Sequence, residues 1–206
     1  MEDRQSRRRY DSLRRETQAR ETRAEIADAA RRLFVTRGWA ATTMREVADE
    51  AGVSTPTVYA AYRNKAGLVW ALVHAADLSA DPRRMLSELE SSTTPAEQLA
   101  AMAGYDRRLF EQAGDLIMLV RESARTEPDF ADLYRQGRQS ADRTRVEVFS
   151  SWPAGTLRPD LPAAVDIYAA LCNIDVYTIL ATERAWQPNQ IERWWTDTLA
   201  RELLNS

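Results

Sequence analysis

The chain has one cysteine, one histidine and, among its 28 basic residues, a single lysine, Lys65. A lone Cys172 excludes an internal disulfide, and one cysteine with His74 cannot supply the N/S ligand set of a zinc site. No metal and no cofactor is expected. The seven glycines are scattered at helix ends, none forms a phosphate-cradling loop, and G-x-S-x-G, H-E-x-x-H and C-x-x-C are all missing. An enzyme is therefore not expected, and His74 reads as a partly exposed, non-catalytic side chain because no partner for a general base accompanies it. No apolar run approaches the roughly 18 residues of a spanning helix, and the Arg-rich N-terminus has no apolar stretch behind it. The expectation is thus a chain without membrane segment or signal peptide, working in the cytoplasm. The Arg and Ala bias that leaves one lysine reads as a high-GC genome rather than a function. No β-type alternation appears, so the fold class expected is all-α.

What is present is concentrated between Met44 and Arg63, MREVADEAGVSTPTVYAAYR. Thr43 and Glu46 stand three apart, the spacing of a capping box, and open a short helix with Val47, Ala48 and Ala51 on its apolar side. Gly52 follows where that helix needs a left-handed residue to stop. Ser54 can cap a second helix, Pro56 falls in its first turn where a missing N–H costs nothing, and Val58, Ala61 and Tyr62 turn inward. Two short helices joined by a tight turn are a helix-turn-helix, a motif whose second helix enters the DNA major groove. On that geometry Thr55, Pro56 and Tyr59 reach base edges or methyl groups, and Arg45 reaches a guanine.

The flanks extend the pattern. Thr22-Arg23, Ile26, Ala29-Ala30, Leu33-Phe34 and Gly38 precede the motif; Thr42-Thr43 open it; Tyr59, Tyr62, Lys65 and Leu68 follow. This run, from about Thr22 to Val73, resembles the TetR family of bacterial regulators. The resemblance implies that Thr43, Thr57, Tyr62 and Lys65 hold phosphates, that the protein is a homodimer reading a palindromic double-stranded operator, and that a small-molecule effector enters the C-terminal body. It also implies that the last two helices build a four-helix bundle with their copies.

Charge divides the chain in the same way. Residues 1–67 carry 14 basic and 10 acidic side chains, residues 68–206 carry 14 and 21, and the whole is −3. A basic module on an acidic body fits DNA binding better than the net charge alone suggests. Three regions are expected: a mobile arm at 1–21, with Arg4, Arg7, Arg8, Arg9, Arg14, Arg15 and Arg20 available to phosphates or the minor groove; the helix-turn-helix domain at 22–67; and an effector-binding and dimerisation domain at 68–206.

Thr22 and Glu25 predict a capping box for a helix ending at Gly38, with Trp39 folded over a small core. Asn64 starts a fourth helix to about Ala80, and Asp81–Thr93 is a loop or short helix. Thr94-Pro95-Ala96-Glu97 opens a helix to Ala113 that Gly114 stops, after which Asp115 caps another to about Arg125. Pro128 begins a helix to about Trp152, and Pro162–Ala185 and Pro188–Leu204 complete the body. The first of these last two is apolar over most of its circumference and needs partners on two sides, which assigns Leu171, Ile179, Trp194, Trp195 and Leu199 to a dimer interface. Met102, Tyr105, Met118, Phe130, Tyr134, Tyr168 and Cys172 are adaptable or aromatic side chains suited to a cavity, with Arg121, Asn173 and Asp175 as polar groups to orient a ligand.

The function these readings favour is a ligand-responsive, sequence-specific regulator, most readily a repressor. Two rivals are a nonspecific architectural DNA binder using the Arg-rich arm, and an α-helical small-molecule or partner-binding protein whose helix-turn-helix is vestigial.

Overall fold

The computed structural model describes residues 2–205, with side chains from residue 14 onward. The described residues contain helices and, outside them, a single isolated bridge between Leu157 and Leu204. They divide into two compact units, one up to Leu72 and one from Val73.

In the first unit α1 (Glu2–Ala41) runs without interruption to Gly38, whose φ of 80° and ψ of 170° break it. The expected stop at Gly38 is found, but the expected start at Thr22 is not. Thr22 lies inside a continuous helix, so its side chain caps nothing, and residues 2–21 have helical backbone. Arg4, Arg7, Arg8 and Arg9 lie outside the described side chains. Arg14, Arg15 and Arg20 are exposed.

α1 buries Ile26, Ala29, Ala30, Leu33 and Phe34, a stripe at helical spacing that forms one wall of a small core. Trp39 packs its ring 5.7 Å from that of Phe34. α2 (Met44–Glu50) adds Met44, Val47 and Ala48, α3 (Thr55–Tyr62) adds Val58, and the start of α4 (Lys65–Ser79) adds Leu68, Val69 and Leu72. Gly67 is required in α4 because a Cβ there would meet the Tyr62 carbonyl oxygen at 2.6 Å. The Asn64 side chain caps this helix by accepting from the Gly67 amide at 2.6 Å.

The second unit begins within α4 and is organised around α6 (Pro95–Ser123), against which α5 (Pro82–Ser91), α7 (Pro128–Ser150), α9 (Ile174–Thr178) and α10 (Pro188–Leu203) all pack. α8 (Leu161–Leu171) lies on α7 and α10. The core joins Leu99, Met102 and Ala103 of α6 to Phe149, Ala164, Tyr168, Ile174 and Tyr177, and to Ile191, Trp195, Leu199 and Leu203 of α10.

Two expected boundaries are overturned here. Gly114 does not stop a helix: α6 passes straight through it, and a Cβ there would come within 3.0 Å of Ile174 Cδ1. The glycine serves close packing of α9 rather than termination. Conversely, the helix expected over Pro162–Ala185 is broken at Cys172 and Asn173, and its last turn, Ile179–Glu183, is π-helical. Asn173 causes the break. Its Oδ1 accepts from the amides of Asp175 and Val176 at 2.9 and 3.0 Å, capping α9, while its Nδ2 donates to the Ala170 carbonyl at 2.7 Å. Segment 161–183 is long and apolar by composition alone, but it is interrupted at Cys172 and Asn173. In the fold its Ala164, Tyr168, Ile174 and Tyr177 serve the core of the second unit.

Candidate DNA-binding interface

The turn between α2 and α3 is fixed from both sides. Thr43 Oγ1 accepts from the Glu46 amide at 3.2 Å, and Glu46 Oε2 accepts from the Thr43 amide at 2.8 Å. Those amide and hydroxyl donors hold the Glu46 carboxyl below its usual range. At the other end the Val53 amide reaches the Ala48 carbonyl at 3.0 Å and the Gly52 amide reaches Asp49 at 3.3 Å, a Schellman pair that only a left-handed residue permits. Gly52 supplies it with φ of 67°. Ser54 then caps α3 by accepting from the Thr57 amide, and the Ser54 and Thr57 hydroxyls are 2.7 Å apart.

With Met44, Val47, Ala48 and Val58 inside, the outer side of the motif is set by periodicity. Thr43, Arg45, Pro56 and Tyr59 are exposed, Tyr59 by 48%, and Thr55 and Thr57 are half-buried. Arg45 makes no ion pair among the described residues, whereas Arg32 pairs with Glu50 and Arg37 with Glu46. Arg63, directly after α3 and exposed, is a further cation without an ion pair among the described residues, and the sequence reading left it out. The signal was its place beside Tyr62.

Tyr62 and Lys65, expected at phosphates, spend their polar atoms inside the module. The Tyr62 hydroxyl donates to the Arg23 carbonyl at 2.8 Å, tying α3 to α1, and burial raises its pKa. Lys65 Nζ donates to the Trp39 carbonyl and sits 4.0 Å from the centroid of the Trp39 ring. Each therefore also secures the small core on which the motif is mounted.

The residues expected to line an effector cavity are spread between the core and the sides of several helices. Met102, Tyr168 and Cys172 are buried in the main core of the body, and Phe130 is 1% exposed. The Tyr105 hydroxyl donates to Asp77 at 2.5 Å, the Thr178 hydroxyl donates to the Met118 sulfur at 3.8 Å, and Tyr134 is half-buried on α7. The expected polar trio is also internally satisfied: Arg121 Nη1 pairs with both Asp175 oxygens at 2.5 and 2.6 Å, and Asn173 is the α9 cap. Of the expected interface residues, Trp195 and Leu199 are fully buried within their own protomer, so they cannot face a second copy. Leu171 and Trp194 are half-buried and Ile179 is 44% exposed. A one-position error in helical phase separates Trp194 from Trp195, and apolar count alone cannot resolve it.

Beside the core lies a buried polar group that the sequence reading missed. Asp106 of α6 is 8% exposed with Arg145 Nη2 of α7 at 3.8 Å, and the Arg145 guanidinium stacks 4.7 Å over the Tyr168 ring. Burial pushes the Asp106 carboxyl up to about 6 against the opposing pull of Arg145. Burial likewise raises the pKa of the Tyr168 hydroxyl and of the Cys172 thiol.

The two halves of a helix-turn-helix, mounted on α1 and α4, define a DNA-binding domain of the kind bacterial regulators carry. The sequence profile of the bacterial regulatory proteins of the tetR family matches residues 26–72, a stretch that spans the helix-turn-helix. It is 35% identical over 133 residues to the HTH-type transcriptional regulator TtgR of Pseudomonas putida, a stretch covering 60% of this chain and 60% of that protein. The fold matches a regulator from Saccharomonospora viridis crystallised with choline, at a TM-score of 0.72 and 18% identity, over 90% of this chain and 99% of the other. It also matches NalD of Pseudomonas aeruginosa, described as the secondary repressor of the MexAB-OprM multidrug efflux pump, at a TM-score of 0.72 and 18% identity, over 91% and 99%.

Proposed function

We propose that this chain is a homodimeric, ligand-responsive transcriptional repressor of the bacterial cytoplasm, released from an inverted-repeat operator by a small molecule. One observation carries the reading: α2 and α3 are locked by their own caps with Arg45, Pro56 and Tyr59 on the solvent side. That is the arrangement by which a helix presents side chains to base edges without unfolding any of its support. TtgR is a transcriptional regulator and NalD a repressor, which supports the same assignment for the chain that resembles them.

Base readout is assigned to Arg45, Thr55, Pro56 and Tyr59, and phosphate contact to Thr43, Thr57 and the basic Arg63. Lys65 and Tyr62 act on DNA partly through the structure they hold. Dimerisation is assigned to the outer sides of α8, the π-helical turn Ile179–Glu183 and α10, where Leu171, Ile179 and Trp194 leave apolar surface uncovered. Two recognition helices related by a two-fold axis require half-sites about 34–36 Å apart on one side of the DNA. The regulator crystallised with choline supports a small-molecule effector, and α4, which begins in the DNA-binding unit and ends in the other, is the element through which an effector would act.

The test is selection of bound fragments from source genomic DNA in competition with random sequence. A specific site should outcompete random DNA by roughly 10³ or more. Equal binding to all fragments would favour an architectural role, and no binding at low salt would favour a vestigial motif.

A further inference from the structure

A cleft of about 430 Å³ opens among α5, α6 and α10, and none of the side chains expected to bind an effector lines it. Its inner end is formed by Arg108 of α6, 7% exposed. Arg108 Nε donates to the Ala80 carbonyl, immediately after the last turn of α4, at 2.9 Å. Its Nη2 is buried and makes no hydrogen bond, and Glu88 Oε2 stands 4.0 Å away. A buried guanidinium N–H without an acceptor is costly, and a carboxylate is the acceptor whose geometry and charge suit it best.

The other charges of the cleft are largely committed. Glu88 pairs with Arg84 at 2.7 Å, Glu192 with Arg107 at 2.8 Å, and Glu97 accepts from the Thr93 and Thr94 amides at 2.7 and 3.0 Å. Arg84 and Arg108 against Glu88, Glu97 and Glu192 leave the lining one negative charge in excess. A simple anion is therefore disfavoured. Gly104 keeps the cleft open at Arg108, since a Cβ there would stand 3.3 Å from Glu192 Oε1 and 3.4 Å from Arg108 Nη1.

We propose that this cleft is a binding site for a small zwitterion, an α-amino acid or short peptide, whose carboxylate accepts from Arg108 Nη2 while its ammonium is received by Glu192 Oε1 and Glu88 Oε2, the oxygens those carboxylates do not spend on Arg107 and Arg84. The volume lies within the usual span of small-molecule sites, about 300–1,000 Å³. Because the same guanidinium holds, through Nε, the carbonyl that follows α4, a ligand on Nη2 would be linked through one side chain to the end of that helix. This last step alone rests on the regulator reading.

The experiment titrates the full chain, by calorimetry and thermal shift, with the twenty proteinogenic amino acids and a set of glycyl dipeptides. The amine lacking the carboxylate and the acid lacking the amine serve as controls for each hit. At least one zwitterion should bind with a Kd below about 1 mM, both truncated controls should bind about tenfold or more weakly, and Arg108→Met and Glu192→Gln should each lose about tenfold. Arg108→Met also removes the Ala80 hydrogen bond, so Gly104→Ala, which narrows the cleft without touching that bond, must weaken the same ligand while leaving the melting temperature near wild type. No binding by any probe up to about 10 mM, or hits indifferent to Gly104→Ala and Glu192→Gln, would overturn the proposal. A chain that binds the zwitterion but selects no DNA would uphold the site and overturn the regulator reading.

Discussion

Replacing Arg145 by methionine keeps most of the side-chain volume on α7 but removes the charge facing Asp106 at 3.8 Å, the pair with Asp142 at 2.7 Å and the cation over the Tyr168 ring. Asp106 then remains as a buried carboxyl without its counter-ion, and breaking a buried pair from one side costs about 3–5 kcal/mol. The cost depends on pH in a defined sense. Burial raises the folded-state pKa of Asp106 from 3.8 to about 6, so the folded state holds the proton more tightly than the unfolded state. Its contribution to stability is fully present below the unfolded pKa and is lost as pH rises through about 6. Arg145 pulls that pKa down, so Arg145→Met moves it higher and extends the loss to higher pH, by about 1.4 kcal/mol for each further unit. Urea unfolding at fixed protein concentration should therefore show a variant close to wild type at pH 5 and weaker by about 3 kcal/mol at pH 8. Adding Asp106→Asn should restore most of the pH 8 loss, because the unpaired charge is gone. A penalty equal at both pH values, or no recovery in the double variant, would refute the view that desolvation of Asp106 governs this cluster.

Other outcomes follow from single contacts. Asn173→Ala should cost about 1–2 kcal/mol in urea unfolding, since it removes the side-chain cap of α9. Gly114→Val should cost about 1–3 kcal/mol by the same measurement, because its Cβ alone already approaches Ile174 Cδ1 to 3.0 Å and the added methyls force α9 outward. Lys65→Ala should destabilise the DNA-binding unit by about 1 kcal/mol through loss of the Trp39 contact, and should weaken DNA binding alike for all sequences. Ile179→Glu should give a folded monomer by light scattering with weakened operator binding, whereas Trp195→Glu should unfold the body, since Trp195 is fully buried.

The DNA-binding motif was legible because every signal in it is local. Thr43 with Glu46, Gly52 and Ser54 each satisfy a backbone group within a few residues, so spacing alone dictates the geometry. The body was less legible because its decisive partners are distant in sequence. Gly114 looks like a helix stop until Ile174 is seen packing onto it, and Asn173 looks like a ligand-orienting group until its own side chain is seen ending one helix and starting another. Arg121 and Asp175 looked like free polar groups, yet they satisfy each other across 54 residues of chain. The Thr22 capping box failed for the opposite reason. A matching Thr-x-x-Glu pair forms no cap where the preceding residues continue the helix.

The central claim is that residues on the outer side of α2 and α3 read a specific sequence. Fragments of source DNA that survive competition should be footprinted, and binding of wild type, Arg45→Ala and Lys65→Ala to the best site compared across a salt series. The account predicts an inverted repeat with half-sites about 34–36 Å apart, relaxed preference at one base pair per half-site for Arg45→Ala, and unchanged preference with weaker binding for Lys65→Ala. A footprint without two-fold repetition, or identical loss of preference from both substitutions, would contradict it.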